Sequence, residues 1–392
     1  MKEPKIRFKG FSGEWETRHV GELCDVLTGF PFEGSKILPK GKELLMRGIN
    51  ITEGFIRHSE DIDRYYDEDS SMLSKYRLQE NDLVIGMDGS KVGKNSALVT
   101  KKEVNSLLVQ RVARLRNNNP HLIHLIQISL GSEKFFEYVD SMKTSSAIPH
   151  ISPSDIKNFV VSISVNDDET KFVSYYFQHL DALIQSTTKK IESLKQVKVA
   201  SLQSMFPQEG ETTPRVRFKG FEGEWEKVEL GDVLNYEQPS KYLVTNTEYE
   251  KSGIPVLTAG KTFVLGYTSD TFGLYTDLPV IIFDDFTTES KFVDFLFKVK
   301  SSAMKMLNTV HDMDVDIKFV YEAMKNIQYR VENHQRHWLA VFSKITIKIP
   351  SIAEQRAIAS YFTSLDRQIT LQTQRLEKLK QIKAACLDNM FV

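Results

Sequence analysis

The sequence predicts an α+β protein made of two tandem units with pseudo-two-fold symmetry, whose two long helices pair as an antiparallel coiled coil. Three observations lead to this fold class. A segment at 4–16 recurs almost unchanged at 214–226, and a second segment, 169–206, aligns without a gap on 354–391. Between these repeats the two halves hardly resemble each other. Because the repeat is about half the chain long, it indicates a duplicated domain and not a solenoid.

The first repeated segment, which we call the signature, opens each half. It reads Pro-Lys-Ile-Arg-Phe-Lys-Gly-Phe-Ser-Gly-Glu-Trp-Glu at 4–16 and Pro-Arg-Val-Arg-Phe-Lys-Gly-Phe-Glu-Gly-Glu-Trp-Glu at 214–226. Each half therefore consists of a signature, a variable region and a helix. We place the two α+β domains at 1–165 and 211–350, and the two helical regions at 166–210 and 351–392.

Composition sets the class of protein. A chain of 392 residues with 41% hydrophobic and 26% charged residues is typical of a soluble globular protein with two cores. No apolar run of about 18 residues is present to span a membrane, and the N-terminus lacks an apolar signal core. Two cysteines, Cys24 and Cys386, cannot build a disulfide framework or a structural zinc site, which fits a reducing cytoplasm. The net charge of −1 is neutral evidence about nucleic acid, because acidic surface can offset a basic cleft.

The second repeated segment predicts the long helices. Its seam residues alternate spacings of three and four, which is the heptad pattern of a coiled coil. The seam positions are Phe177, Leu180, Ile184, Thr187, Ile191 and Leu194 in the first copy and Phe362, Leu365, Ile369, Gln372, Leu376 and Leu379 in the second. The alternative is an ordinary amphipathic helix packed on its own domain. Two matching seams in one chain favour pairing with each other, and two-fold symmetry makes that pairing antiparallel.

The seam also predicts register and length. The polar residues Thr187 and Gln372 occupy equivalent places and would fix the pairing of the helices. A helix of about 25 residues is roughly 38 Å long, and one turn of B-DNA is roughly 34–36 Å. A coiled coil of this size would hold two domains about one duplex turn apart.

The variable regions mix strands and helices. Apolar and β-branched runs predict strands at 83–85, 96–99 and 107–115 in the first half and at 254–257, 280–283, 292–299 and 341–349 in the second. Helical patterns lie at 120–130, 133–142 and 316–325. Strands and helices interspersed in this way favour the α+β class.

A loop at 86–95 contains glycines and lysines and follows a predicted strand. A nucleotide-binding P-loop needs Gly-x-x-x-x-Gly-Lys followed by Ser or Thr. Gly93 and Lys94 fit, but Asp88 stands in the place of the first glycine and Asn95 in that of the hydroxyl residue. The loop suits DNA phosphates and base edges better, with a plain solvated turn as the alternative.

Two histidine pairs have the spacing of metal ligands, His121/His124 and His334/His337. No cysteine or carboxylate cluster accompanies either pair, so we expect no metal site. The stretch His-Gln-Arg-His-Trp at 334–338, close to Arg330 and Asn333, is a better candidate for DNA contact, with solvated surface as the alternative.

Signs of catalysis are weak. The acidic residues of 284–289 with Lys291 have the residue types of a metal-dependent nuclease, but at a closer spacing than such sites use. An amino-methyltransferase would need an Asn- or Asp-Pro-Pro-aromatic motif, and the sequence contains no Pro-Pro dipeptide. We therefore expect a non-catalytic chain.

The order of these features resembles the DNA-specificity subunit of type I restriction-modification enzymes. The motifs are the two Arg-Phe-Lys-Gly-Phe-x-Gly-Glu-Trp-Glu segments, Gly21 and Gly231 after them, and the helix opening Ile-Pro-Ser-Ile-Ala-Glu-Gln-Arg-Ala-Ile-Ala at 349–359. Ser-Ser-Ala-Ile-Pro-His-Ile-Ser at 145–152 is similar to the end of the family's target-recognition domains. The sequence departs from the family where the first helix is entered, at 165–170, and where the second variable region lacks a Ser-Ser-x-Ile-Pro segment. That region is therefore expected to belong to another subclass.

The resemblance implies that 1–165 and 211–350 are target-recognition domains. Each would read one half of a bipartite site in double-stranded DNA, with the helical regions setting the spacer. It implies methyltransferase subunits, two of them, docked on the coiled coil, and restriction subunits that translocate and cut DNA. No cofactor is expected in this chain; S-adenosylmethionine, ATP and Mg are expected in the partner subunits. The alternatives are an enzyme complete in one chain and a coiled-coil scaffold that binds only proteins.

Basic, polar and aromatic residues of the variable regions are the candidate DNA contacts, because they neutralise phosphates or reach base edges. Those of the first region are Arg47, Asn50, Ser90, Lys91, Lys94, Asn95, Arg111, Ser145, Ser146 and His150. Those of the second region are Lys241, Tyr242, Lys261, Tyr267, Lys291, Arg330, Asn333, His334 and Arg336.

Overall fold

The chain forms two compact units. The computed structural model describes residues 3–89, 92–142, 150–246, 248–258, 262–311, 313–329 and 337–391. Unit 1 contains Met1–Ser186 and Leu376–Val392, and unit 2 contains Thr187–Arg375. The unit boundaries fall inside two helices of 39 residues, whereas the sequence-based boundaries give each helix a region of its own. Both divisions keep each variable region whole.

Unit 1 contains two small sheets, a strand pair and several helices. Its elements are β1 (Glu16–His19), α1 (Val20–Leu23), β2 (Asp25–Thr28), β3 (Glu43–Met46), β4 (Tyr65–Tyr66), β5 (Leu83–Gly86), β6 (Ser96–Leu98), β7 (Leu107–Leu108), β8 (Val112–Arg116), α2 (Pro120–Leu130), α3 (Glu133–Met142), α4 (Pro153–Asn158), β9 (Val160–Ile163) and the first part of α5 (Asp167–Met205). Strands β2, β8, β5 and β6 form an antiparallel sheet in that order. Strand β3 pairs antiparallel with β4 and parallel with β7. The pair β1–β9 brings the start and end of the variable region together.

Local sequence signals explain where α2 begins and ends. The Asn119 side chain accepts hydrogen bonds from the backbone N–H groups of His121 and Leu122, and a proline occupies the first helical position. Gly131 follows the last residue of the helix. The predicted helices 120–130 and 133–142 are confirmed with these bounds.

The strand predicted at 107–115 is wrong as a single element. Strands β7 and β8 are separate, because Arg111 has a φ of 66°, in the left-handed region where a strand cannot continue. The turn sends β7 to the three-stranded sheet and β8 to the four-stranded sheet. Arg111, at this break, also lines a cleft of unit 1.

Unit 2 repeats the same topology with a different sequence. Its elements are β10 (Glu226–Glu229), α6 (Leu230–Val233), β11 (Leu234–Glu237), β12 (Ile254–Leu257), β13 (Val264–Thr268), β14 (Val280–Asp284), β15 (Ser290–Val293), β16 (Lys298–Val299), β17 (Met304–Thr309), α7 (Ile317–Lys325), α8 (His337–Ala340), β18 (Thr346–Ile349) and most of α9 (Ile352–Met390). Strands β11, β17, β14 and β15 form the antiparallel sheet. Strand β12 pairs antiparallel with β13 and parallel with β16, and β10 pairs with β18. The two variable regions therefore share one architecture.

Two strand predictions in unit 2 are too long. The run 292–299 divides into β15 and β16, which belong to different sheets. The run 341–349 is a strand only from Thr346, because Phe342 to Lys344 form a 3₁₀ turn that buries Phe342 in the core. In the second case burial of an apolar side chain selected another backbone shape.

Each unit pairs the beginning of one long helix with the end of the other. In unit 1, Lys383 Nζ lies 2.5 Å from Asp181 Oδ1. In unit 2, Lys198 Nζ lies 2.6 Å from Asp366 Oδ1. The four residues are two repeated pairs of the sequence, so equivalent contacts recur in both units and the antiparallel pairing is confirmed.

The predicted seam is buried for most of its length. Its buried members are Phe177, Leu180, Thr187, Ile191, Leu194, Phe362 and Leu365, and its half-buried members are Ile184, Ile369, Gln372, Leu376 and Leu379. Each helix has 39 residues, whereas the sequence predicted about 25. At 1.5 Å per residue, a helix of 39 residues is about 58 Å long. In the described part of the chain, no helix is both long and apolar enough to cross a membrane.

The signatures are joined to the long helices by a buried ion pair, which we call the signature joint. In unit 1 the guanidinium of Arg7 contacts both carboxylate oxygens of Glu169, at 2.6 and 2.8 Å. In unit 2 Arg217 contacts both oxygens of Glu354, at 2.7 Å each. Each arginine also donates to backbone carbonyls of its own signature. The repeated Phe-Lys-Gly-Phe-x-Gly-Glu-Trp-Glu segment is therefore a structural connection between the variable region and its helix.

Unit 1 contains a buried neutral histidine that predicts acid sensitivity. His124 Nδ1 lies 3.1 Å from Ser174 Oγ, and burial lowers the pKa of His124 to about 4. The unfolded chain takes up a proton below about pH 6.5 and the folded chain does not, so stability is complete above that pH and falls towards pH 4. Between pH 7 and pH 5 we expect a loss of about 2 kcal/mol from this residue.

Hydrogen exchange of peptides from α2, measured at pH 7 and pH 5, checks this. The variant His124→Gln keeps a partner for Ser174 but cannot titrate, so its loss should be smaller by about 2 kcal/mol. An equal loss in both proteins would assign the acid sensitivity to carboxylates instead.

Candidate nucleic-acid interface

The variable region of unit 1 contains an open cleft of about 510 Å³, which we call the unit 1 cleft. Its walls come from the segments after β3 and β5, the start of β6 and the turn between β7 and β8. The lining residues are Ile37, Arg47, Gly48, Ile49, Gly86, Asp88, Gly89, Asn95, Val109, Gln110 and Arg111. Three predicted contact residues that are far apart in sequence, Arg47, Asn95 and Arg111, thus line one cleft.

Arg111 is the most exposed cation of the cleft. Its side chain is 66% exposed, and Nη1 lies 3.0 Å from Asp88 Oδ2. Its carbonyl oxygen accepts a hydrogen bond from the backbone N–H of Met87 at 3.0 Å. A long side chain at a φ of 66° is uncommon, and such conformations concentrate where a side chain must be aimed.

Arg47 also lines the cleft. It is half-buried, and Nη1 donates to the carbonyl of Ile62 at 3.3 Å. Burial, and secondarily the neighbouring guanidinium of Arg64, lower the pKa of Arg47. A guanidinium remains charged at neutral pH despite such a shift. The cleft is therefore lined by two positively charged side chains, Arg47 and Arg111.

Asn50 is not part of the cleft surface, and its prediction as a DNA contact is corrected. Its side chain is buried and donates to Asp63 Oδ1 at 2.9 Å and to the carbonyl of Arg57 at 3.3 Å. Its Oδ1 accepts from the backbone N–H of Arg47 at 3.3 Å. Since all its polar atoms are used inside the protein, Asn50 shapes the loop that carries Arg47.

Lys94 and His150 lie outside the unit 1 cleft. Lys94 is exposed, its Nζ lies 4.7 Å from the centre of the Phe136 ring, and it borders another groove of unit 1. His150 is exposed and its backbone bridges to Asp88. The four remaining predictions in this region, Ser90, Lys91, Ser145 and Ser146, lie outside the described residues.

Gly93, in the loop 86–95, packs against α3. That glycine has a φ of 78°, and a Cβ there would meet the side chain of Val139 at 3.0 Å. Gly93 is therefore required for packing against α3, which agrees with the sequence mismatch to a P-loop.

The described candidates of unit 2 lie on a 3₁₀ turn (Pro239–Tyr242), on β13 and on β15. Lys241 is exposed and pairs with Glu237 at 3.3 Å, and the hydroxyl of Tyr242 donates to the same carboxylate at 3.0 Å. Burial, followed by that hydrogen bond, raises the pKa of Tyr242. Tyr267 lies in β13 and the exposed Lys291 in β15. The others, Lys261, Arg330, Asn333, His334 and Arg336, lie outside the described residues.

The residues considered for metal or nuclease chemistry have structural contacts. Asp285 is buried, accepts from the backbone N–H of Trp338 at 2.9 Å and lies 3.6 Å from Lys305 Nζ. Asp284 Oδ1 accepts from the backbone of its own turn, at Phe286 and Thr287. Within the described ranges no group of three or more His, Cys, Asp or Glu side chains is placed to hold a metal ion.

Sequence reasoning missed Asp88, Gln110 and Ile49 as lining residues of the cleft. Asp88 entered the sequence argument only as a mismatch to the P-loop. Its role depends on Arg111, which is far away in sequence and reaches it through the pairing of β5 with β8. No local signal reports such a contact.

Comparison with known proteins shows which proteins this chain is similar to. Residues 222–381 match the family model described as type I restriction modification DNA specificity domain. The chain is 43% identical over 174 residues to the type I restriction enzyme EcoR124I/EcoR124II specificity subunit of Escherichia coli, and 28% identical over 191 residues to the EcoAI specificity subunit. These alignments cover 43% and 31% of the two relatives, so the chain matches less than half of their length.

Two further comparisons extend over the whole chain. The putative MjaX specificity subunit of Methanocaldococcus jannaschii is 22% identical, and the alignment covers 94% of this chain and 91% of that protein. In fold, the S subunit of a type I restriction-modification system from M. genitalium matches with a TM-score of 0.73 at 17% identity, covering 100% of this chain and 99% of that one. The chain is therefore similar to type I restriction-modification specificity subunits, in sequence over the region 222–381 of the family model and in fold over its whole length.

Proposed function

We propose that this chain is the non-catalytic DNA-recognition subunit of a type I restriction-modification complex. Each variable region reads one half of a bipartite site in double-stranded DNA. The observation that carries the proposal is that the same elements, a signature, a signature joint and a long helix, accompany both variable regions, which share one topology and differ in sequence. A fixed frame with exchangeable inner surfaces is what modular readout of two half-sites requires.

The unit 1 cleft supports DNA as the ligand. Its two arginines come from rigid strand ends, and guanidinium groups bind both phosphates and guanine edges.

The partners follow from the same proposal. Methyltransferase subunits, two of them, dock on the paired long helices, bind S-adenosylmethionine and flip the target adenine out of the DNA. Restriction subunits join to supply ATP- and Mg-dependent translocation and cleavage. The complex acts on DNA in the cytoplasm, and this chain contributes recognition.

Exchange of residues 17–165 for those of a relative tests modular readout. We expect the methylated sequence to change in one half of the site and to stay the same in the other, because unit 2 and both helices are untouched. Sequencing that maps methylated adenines in cells carrying the chimera and a methyltransferase measures this. Changes in both halves would contradict the proposal.

The same system separates the alternatives. Purified chain that methylates or cuts DNA alone would establish an enzyme complete in one chain. Failure to bind any duplex with methyltransferase subunits present would leave a protein-binding scaffold. A chimera that exchanges residues 227–350 and leaves unit 1 unchanged serves as the matched control for the folding of unit 1.

A further inference from the structure

The pairing of Arg111 with Asp88 points to the base that the unit 1 cleft reads. We propose that Arg111 reads a guanine and that Asp88 positions its guanidinium for this contact. The inference rests on the proposed function and adds a base and two residue roles to it. Four observations carry it: the contact atoms, the exposure of both groups, the support of Asp88 and the sign of the charges.

The contact leaves the recognition edge of Arg111 available. Asp88 Oδ2 binds Nη1 at 3.0 Å. The Nε and Nη2 groups form the other edge of the guanidinium, and within the described ranges they make no hydrogen bond with the protein. That edge carries two parallel N–H donors, which match the O6 and N7 acceptors of guanine.

The exposures place Asp88 behind Arg111. The Asp88 side chain is 25% exposed and that of Arg111 66%, so a ligand entering the cleft meets the arginine first. The backbone on each side is held: Asp88 bridges to His150, and Met87 donates to the carbonyl of Arg111. Gly48 lies against Asp88, since a Cβ there would be 4.0 Å from Oδ1. These contacts hold the pair at the mouth of the cleft.

The charges favour a base over a phosphate. A carboxylate within 3.0 Å of the guanidinium cancels much of its field and repels an approaching phosphate. The acceptors of guanine are neutral, so they lose little from the carboxylate and gain from an arginine held in one geometry. Restricting the guanidinium also lowers the entropy cost of the bidentate contact.

Selection from a pool of duplexes with randomised positions tests the proposal, using the full chain with methyltransferase subunits present, followed by sequencing of the bound fraction. We expect the wild type to enrich one G·C pair that Arg111→Ala, Arg111→Lys and Asp88→Ala all relax, by about tenfold. Asp88→Asn, whose amide oxygen can still accept from Nη1, should retain more of the preference.

A second readout separates positioning from structure. Affinity for poly(dA-dT) duplex, which has no paired O6 and N7 acceptors, should stay equal or rise in Asp88→Ala, because an anion has been removed, although discrimination at the G·C pair falls. In Arg111→Ala/Asp88→Ala, the preference at that pair should be no lower than in Arg111→Ala alone. Urea unfolding of each variant identifies any that has lost its fold, and Asp88→Asn then stands in for Asp88→Ala.

Two results would overturn the inference while leaving the proposed function intact. In the first, Arg111→Ala weakens binding to all duplexes without relaxing any position, as a phosphate contact would. In the second, Asp88→Ala and Asp88→Asn leave the Arg111-dependent preference unchanged. A wild type that enriches no sequence would overturn both the inference and the proposed function.

Discussion

Glu169→Ala is expected to lower the free energy of unfolding of unit 1 by about 3–5 kcal/mol, because it leaves a largely buried guanidinium without its partner. Glu169 is fully buried and binds both Nε and Nη2 of Arg7. It also accepts from the indole N–H of Trp15 at 3.1 Å and from the hydroxyl of Ser164. Four donor groups on three side chains therefore lose their acceptor in one substitution.

Hydrogen exchange of peptides from β1, β9 and the start of α5 measures this loss in unit 1. Glu377→Ala removes an exposed carboxylate that pairs with Lys380, so it is the matched surface control and should cost less than about 1 kcal/mol. A loss in Glu169→Ala as small as that of the control would mean that the signature joint does not stabilise the frame.

The copy of the joint in unit 2 gives an internal comparison. Glu354 binds Arg217 in the same bidentate way, but the buried indole N–H of Trp225 has no hydrogen-bond partner among the described residues. Glu354→Ala should therefore cost about 1 kcal/mol less than Glu169→Ala. Equal costs would show that the contacts of Glu169 with Trp15 and Ser164 contribute nothing.

Lys318→Met is expected to destabilise unit 2 by about 3–5 kcal/mol, because it leaves the carboxylate of Glu322 buried without its nearest cation. Glu322 is fully buried, with Lys318 Nζ at 2.7 Å and Lys198 Nζ at 3.6 Å. Lys318 also contacts Asp366 at 2.8 Å. Burial is the largest single influence on the pKa of Lys318 and lowers it, but the carboxylates of Glu322 and Asp366 together outweigh burial, so the pKa is raised.

The double variant Lys318→Met/Glu322→Leu identifies the cause. Removing both charges leaves apolar side chains of similar size, so most of the stability should return. Urea unfolding of the single and double variants compares them, with Lys241→Met as an exposed control that pairs with Glu237. A double variant as unstable as Lys318→Met would show that the lysine acts through packing on Phe292 and Tyr321.

The joint and the helix contacts illustrate how far sequence reasoning reaches. The repeats contain Arg7, Glu169 and their copies in unit 2, so every member of the joint is visible as a duplicated residue. That the arginine binds the glutamate is not visible, because the two are 162 positions apart. The same holds for Asp181 and Lys383. The sequence shows that both residues are repeated, but only the structure shows that they form an ion pair.

The unit 1 cleft shows the same division at the candidate site. Residue type alone selects Arg47, Asn50, Lys94 and Arg111 as equal candidates. The tertiary structure buries Asn50, places Lys94 at another groove and brings Arg47 and Arg111 together. The residue type of a polar side chain does not show whether it is buried, because burying an amide whose hydrogen bonds are satisfied costs little free energy.

The sequence by itself determined the duplication, the α+β class, the long helices with their seam and the bounds of α2 and α3. These features depend on local signals, namely periodicity, N-caps and glycine at helix ends, which act within a few residues. Only the tertiary structure decided the common sheet topology of two dissimilar regions, the break of the predicted strand 107–115 and the pairing of Arg111 with Asp88. Those depend on contacts between distant parts of the chain, where burial and hydrogen bonding override local preference.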